Sequence, residues 1–278
     1  MIPNGEKNKI IKWENDTVGR LKCEIDLDGL FSGNEKRYGK FKKDWPKFLA
    51  SDSLNDELYQ LDGSVLKYIS EDLIPQKKDD RPPLLLLLGN PASHSVSAGM
   101  FFSFEADKSE HRFWKEILKP SGIIDLRGDD NQDISYKNEM RKRRIMNLDY
   151  ISKFRIGLSV YISMPSCASC EWSGVAGIVR LLGRKAFSKL AENERYRILK
   201  SVEKFMPEGG TIVAFQKEAW NYLKSQSDPD YRLEDVKIKG LVGLVDKNKK
   251  INLLCVPPTR LQRPCCKILK KINDIFKS

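Results

Sequence analysis

Apolar positions along this chain fall into two kinds of segment, short unbroken runs and helical stripes, and the two alternate. The densest run is residues 84–88, five leucines bounded by Pro82-Pro83 and by Gly89-Asn90-Pro91. A stretch so short, apolar at every position and closed by turn formers, predicts a strand buried on both faces of a parallel sheet. Residues 154–163 and 211–215 read the same way. Between the runs the spacing changes to three and four. Phe113, Trp114, Ile117 and Leu118 share one face of a helix over 110–118, with Pro120 as its stop. A long helix is expected over 185–206, ended by Pro207-Glu208-Gly209-Gly210, and a shorter one over 217–225. Residues 236–245 and 250–256 predict a hairpin around Asp246-Lys247-Asn248-Lys249. Over 263–277, Ile268, Leu269, Ile272, Ile275 and Phe276 make the apolar stripe of an amphipathic helix with lysines outside. Repeated strand-then-helix order predicts an α/β fold, a three-layer αβα sandwich with a mostly parallel central sheet.

The first 81 residues carry a different pattern. Basic and aromatic residues interleave in Lys36-Arg37-Tyr38-Gly39-Lys40-Phe41-Lys42-Lys43-Asp44-Trp45, a stretch suited either to DNA contact or to packing on the rest of the chain. Trp45, Phe48, Leu49, Leu58, Leu61, Val65, Leu66, Tyr68 and Ile69 predict two or three short helices. Pro75 and the polar Gln76-Lys77-Lys78-Asp79-Asp80 close the region. The expected organisation is a basic, mostly helical N-terminal extension over 1–81 ahead of an α/β domain over 82–278.

Charge narrows the partner. Lys and Arg number 49 against 38 Asp and Glu, a net +11, which favours a polyanion. No run approaches the ~18 apolar residues of a membrane span, so no membrane partner is expected. Met1-Ile2-Pro3-Asn4-Gly5-Glu6-Lys7 lacks the apolar core of a signal peptide, and a cytoplasmic, nucleoid-associated monomer is the expectation. Six cysteines in a chain of 278 residues do not read as a secreted disulfide framework. Cys167-Ala168-Ser169-Cys170 has the CxxC spacing of metal and redox sites, but free thiols are the reading adopted, with no metal.

Candidate chemistry gathers just after the leucine run. In open α/β sheets, ligands bind beyond the carboxyl ends of the strands, and here the strand delivers Asn90, Pro91, Ser93, His94 and Ser95. The loop lacks the GxxxxGK[ST] and GxGxxG spacings that cradle phosphate, which weighs against an NTPase or a dehydrogenase. An asparagine at a strand end can hold a water by its side-chain carbonyl, with Pro91 stiffening the turn. His94 is a candidate base contact or acid, or a solvated loop histidine; His111 reads as a helix cap. The basic run 137–144, with Arg141, Arg143 and Arg144, fits phosphate contact or a solvated helix face. Phe113 and Trp114 read as core.

Taken in order, Gly89-Asn90-Pro91, Ser97-Ala98-Gly99-Met100-Phe101-Phe102, His111-Arg112-Phe113-Trp114-Lys115 and Ser121-Gly122 resemble the mismatch-specific uracil/thymine-DNA glycosylases of the uracil-DNA glycosylase superfamily. The segment from Thr211 to Trp220 is similar to that family's third strand and helix, and Cys255-Val256-Pro257-Pro258-Thr259-Arg260-Leu261-Gln262-Arg263 resembles its second motif. The resemblance covers residues 82–278 and implies a uracil-DNA glycosylase-like fold. It also implies hydrolytic removal of a damaged, mismatched or modified base from double-stranded DNA, without metal or cofactor, in repair or in defence against modified viral DNA. By the same resemblance Asn90 positions the water, and Phe101, Phe102 or Phe104 stacks on the extruded base beside Pro91 and His94. Thr259 would contact phosphate, Leu261 would wedge into the duplex, and Arg260 or Arg263 would support it; Ser93, read from its loop position alone, fits donation to a base or phosphate or simply forms the turn. Three departures stand out: the first loop is one residue shorter than the family pattern, Pro257 replaces its His or Asn, and the chain between Asn90 and Phe113 is longer than the family usual. Together they predict a differently shaped pocket and weigh against uracil as the substrate. A non-catalytic nucleic-acid-binding module on the same fold and a nucleotide-binding α/β enzyme are the alternatives.

Overall fold

Alternation, not helical spacing, governs much of the N-terminal part. Residues 10–16, 19–126 and 132–272 are described by the computed structural model. Strands Ile11–Asn15 (β1), Arg20–Asp26 (β2), Tyr59–Asp62 (β3) and Val65–Glu71 (β4) form an antiparallel sheet in the order β1-β2-β4-β3. Helices Leu27–Phe31 (α1), Glu35–Ala50 (α2) and Asn55–Leu58 (α3) fill the connection from β2 to β3. The expectation of a mostly helical extension is therefore corrected. β2 buries Leu21, Cys23 and Ile25 while Arg20, Lys22 and Asp26 face out, and β4 buries Leu66, Tyr68 and Ser70 in the same rhythm. Val65, Leu66, Tyr68 and Ile69 imitate a helical stripe only because both faces of β4 are partly covered. Gly63, at φ +58°, makes the tight turn of the β3–β4 hairpin. The basic-aromatic stretch is the body of α2: Phe41, Trp45 and Phe48 are buried, and Arg37 donates to the carbonyls of Arg180 and Leu181.

The leucine run forms Pro83–Leu88 (β5), the second strand of a five-stranded sheet. Its neighbours are Arg155–Val160 (β6) and Gly210–Ala214 (β7), both parallel to it. Leu241–Asp246 (β8) and Ile251–Cys255 (β9) complete the order β6-β5-β7-β9-β8, with β8 alone antiparallel. This is a mixed α/β protein with a mostly parallel sheet and a separate antiparallel one. Connecting elements are Ser93–Ala98 (α4), a π-helical turn at Phe113–Leu118, Lys119–Ser121 (α5), Ile134–Asn147 (α6) and Gly174–Leu182 (α7). Arg184–Phe205 (α8), Lys217–Leu223 (α9), Leu233–Lys239 (α10) and Gln262–Lys270 (α11) follow. Pro120 opens α5 instead of ending the helical path, since its missing N–H lies in a first turn. The expected strand at 236–245 starts as α10 and becomes strand only after Gly240. The tail helix is seen as far as Lys270, and residues 273–278 lie outside the described part.

β5 divides two bodies of buried side chains. Leu84, Leu86 and Leu88 join Ile156, Leu158, Val213 and Leu254 against Phe113, Trp114, Ile117 and Leu269. Leu85 and Leu87 point the other way, into a cluster that reaches Ile198 of α8, Ile212 and Leu253. That cluster also includes Ile11, Leu21, Phe41 and Phe48, so the antiparallel sheet and α2 share it. Each fully buried leucine contributes about 1.5–3 kcal/mol. An antiparallel bridge from Leu73 to Leu158 connects the segment after β4 to β6.

A buried polar network crosses the same boundary. Glu194 and Arg197 of α8 are fully buried and pair at 2.6 Å. Arg197 also donates to the Val160 carbonyl at the end of β6. Glu194 accepts from the Ser163 backbone N–H at 2.6 Å and from the Ser163 hydroxyl, which lies 2.7 Å from the Tyr68 hydroxyl of β4. One carboxylate thus serves a helix and both sheets. Among the described residues, no helix is long and apolar enough to cross a membrane.

Candidate active site

Asn90 sits two residues past Leu88, the last β5–β6 ladder position, where the strands end and the loops begin. The loops after β5 and β6 are sewn together by their own backbones. Tyr161 and Ile162 donate to the carbonyls of Leu88 and Gly89 at 2.9 Å each; Ser166 donates to Pro91 at 3.1 Å, and Ser93 to Ser166 at 2.9 Å. Within that frame the Asn90 Nδ2 donates to the Ser166 hydroxyl at 2.9 Å and to the Met164 carbonyl at 3.2 Å. A carbonyl can only accept, so the amide orientation is set: nitrogen toward Met164, Oδ1 on the opposite side. The Ser166 oxygen also accepts from the Gly174 N–H at 3.0 Å, which places the start of α7 beside Asn90. Gly174 has φ +68°, and a Cβ there would come within 4.0 Å of the Asn90 Oδ1. Gly89 is needed for a different reason: a Cβ would meet the Gln216 amide at 2.7 Å.

These loops border a cleft of about 470 Å³. Of the residues singled out from sequence, Asn90, Pro91, His94, Phe101, Phe102, Thr259 and Arg260 all line it, brought in from three separate loops. Another hollow, about 630 Å³, lies between Trp13, Asp72, Arg155 and Lys200 and contains none of them. His111 caps the π-helical turn, its Nδ1 accepting from the Phe113 N–H at 3.1 Å, and also faces the cleft.

The aromatic wall is held from behind. The Trp114 indole donates to the carbonyls of Phe101 and Phe102 at 3.0 and 3.1 Å, fixing that turn. Phe102 takes a left-handed backbone, φ +51°, uncommon for a bulky residue and characteristic of functional positions. Its ring lies 4.6 Å from His111 and 4.2 Å from Phe113. As expected, Phe113 and Trp114 are core, at 0% and 3% exposure. Burial pushes the His111 imidazole down to about 4, Glu105 pulling the other way, and also lowers His94, so both are neutral at pH 7.

The other sequence candidates lie apart from the cleft lining. Phe104 packs on His94, ring centroids 4.9 Å apart, with the Lys108 ammonium 4.1 Å over its face. Ser93 is buried and donates to the Asn55 side chain at 2.9 Å, away from any rim. Leu261 is half-buried at the start of α11, and Arg263 is exposed on that helix. On α6, Arg141 is 5% exposed, pairs with Glu110 and packs 5.0 Å over the Trp114 ring. Arg144 donates to the Leu126 carbonyl, and Arg143 alone of the three is exposed. The CxxC thiols are also corrected, since Cys167 and Cys170 form a disulfide. Their Cα atoms are 6.0 Å apart across the turn after β6, within the bridging range of about 4.4–6.8 Å.

Cleft residues that the sequence reading missed include Glu71, Ser166, Gly174 and Gln216. Only Gln216, immediately after a strand, had a positional signal. Glu71 comes from the antiparallel sheet, and it is buried with neither carboxylate oxygen hydrogen-bonded. The cleft therefore offers a fixed amide carbonyl, an aromatic wall, two neutral imidazoles and a buried carboxyl. No lysine lines it among the described residues. No family model matches the chain, and no curated protein matches it significantly.

Proposed function

We propose that this protein is a DNA glycosylase that hydrolyses the N-glycosidic bond of a damaged, mismatched or modified base swung out of duplex DNA, on a uracil-DNA glycosylase-like αβα scaffold. The observation that carries the reading is the anchoring of Asn90. Its amide nitrogen is committed to Met164 and Ser166, leaving Oδ1 as an acceptor at the edge of a cleft of nucleobase size. Glycosidic cleavage develops positive charge on the sugar. It needs a water placed at C1′, a surface for the flipped base and a hold on the flanking phosphates. Asn90 supplies the first, Phe101 and Phe102 the second, and Thr259 with Arg260 the third. Among the described residues no lysine lines the cleft, which favours hydrolysis over a Schiff-base enzyme that also cuts the backbone. The net charge of +11 suits a DNA partner.

The test is incubation with duplexes carrying uracil, a thymine mismatch, hypoxanthine or glucosylated hydroxymethylcytosine, followed by alkali to cleave at abasic sites. Strand scission at the modified position in at least one duplex is the expected result; intact strands throughout would refute the reading. Stacking contributes about 1–3 kcal/mol per base, so Phe102→Ala should weaken binding to the cleaved duplex by that amount in fluorescence anisotropy. Affinity for an unmodified duplex should change less.

A further inference from the structure

Glu71 is the one acidic residue of the cleft lining among the described residues. It ends β4 at 3% exposure, borders the same cleft as Asn90, and has two carboxylate oxygens without a hydrogen-bond partner. A buried acid with idle oxygens is costly to keep unless a ligand completes it. Burial raises its carboxyl to about 8, against the pull of Lys142 on α6. Lys142 is itself faced by Asp16 and by Arg20, which lies opposite Glu71 in the β2–β4 register, and His94 and His111 line the same cleft. At neutral pH Glu71 therefore holds a proton next to the space the base would fill.

We propose that Glu71 is the general acid of the cleft, a catalytic residue that protonates the departing base; this rests on the glycosylase reading. The C1′–N bond breaks with its electron pair moving into the ring, and the Glu71 proton goes to a ring nitrogen or oxygen, so the base leaves neutral. Water held at Asn90 bonds through its oxygen to C1′ and gives its proton to bulk water, and Glu71 is reprotonated from bulk water once the base has left the cleft. An acid matters most for rings that leave poorly as anions. Amino-bearing bases of the cytosine and adenine type gain more from it than uracil does.

The experiment follows single-turnover abasic-site formation by wild type and Glu71→Gln from pH 5 to 9, with thermal melting of both over the same range. The wild-type rate should fall about tenfold per pH unit above about 8, as the proton is lost. Glu71→Gln should be slower by about 10²–10⁴-fold and insensitive to pH in that range. Folded Glu71 binds its proton more tightly than the unfolded chain does, about 8 against 4.5, so wild-type stability declines as pH rises between those values. Glu71→Gln has no such proton to lose and should melt progressively above wild type across that window. A wild-type rate unchanged through pH 9, a glutamine variant as fast as wild type, or a melting gap independent of pH would each overturn the role of Glu71 and leave the glycosylase reading standing. A wild type that forms no abasic site in any duplex overturns both. Should Glu71→Gln fail to fold, the wild-type pH profile decides.

Discussion

Asn90→Ala is expected to slow abasic-site formation by about 10²–10³-fold, the usual cost of deleting one preorganised polar group at a reacting centre. Duplex affinity should stay within a few-fold of wild type. The separation follows from how the loop is built. Four main-chain bonds tie the loops after β5 and β6 together without the Asn90 side chain, among them Ser166 to Pro91 and Ser93 to Ser166. Truncation therefore removes the water's acceptor and leaves the cleft standing. The Met164 carbonyl and Ser166 hydroxyl each lose a donor, and Ser166, which lines the cleft, keeps its bond from the Gly174 N–H. Single-turnover kinetics and gel shift on the same duplex make the comparison, and a variant that cleaves at the wild-type rate would remove Asn90 from the chemistry.

Arg197→Ala should cost about 3–5 kcal/mol of stability, because it strands a buried carboxylate whose charge partner has gone. Glu194 would keep its bonds from Ser163 but lose the guanidinium at 2.6 Å, in a place fully closed to solvent. Urea unfolding with an unchanged slope and a lower midpoint would report that loss. Replacing both partners, Glu194→Leu with Arg197→Leu, should recover part of it, since the Glu194 carboxylate is no longer stranded. A single-variant loss below 1 kcal/mol would mean that water or a neighbouring group takes over the pairing.

What could be read from sequence was whatever a few adjacent residues decide. Five leucines between turn formers are a buried strand in almost any context, and the loop they feed follows from sheet topology. The cleft lining at Asn90, Pro91 and His94 was legible in that way, while Phe101, Phe102, Thr259 and Arg260 were reached through the resemblance to the glycosylases. Long-range pairing was not. Arg141 reads as a phosphate contact within its basic run, and only folding shows that Glu110, 31 residues away, sits beside it. Strand β4 was misread because both of its faces are partly covered, which erases the clean alternation of a surface strand. Glu71 gave no local sign at all, being one carboxylate among the 38 acidic residues of the chain.

That Glu71 enters the cleft from β4 while Asn90 enters from β5 means the pocket is assembled from two sheets that have no strand in common. No minimal catalytic fragment should exist. A chain trimmed to begin at Arg81 would lose a wall of its pocket and lay bare the faces of α7 and α8 that α2 and β1 now cover. Heat and denaturant should accordingly take the whole molecule apart in one cooperative step, with no half surviving to work alone.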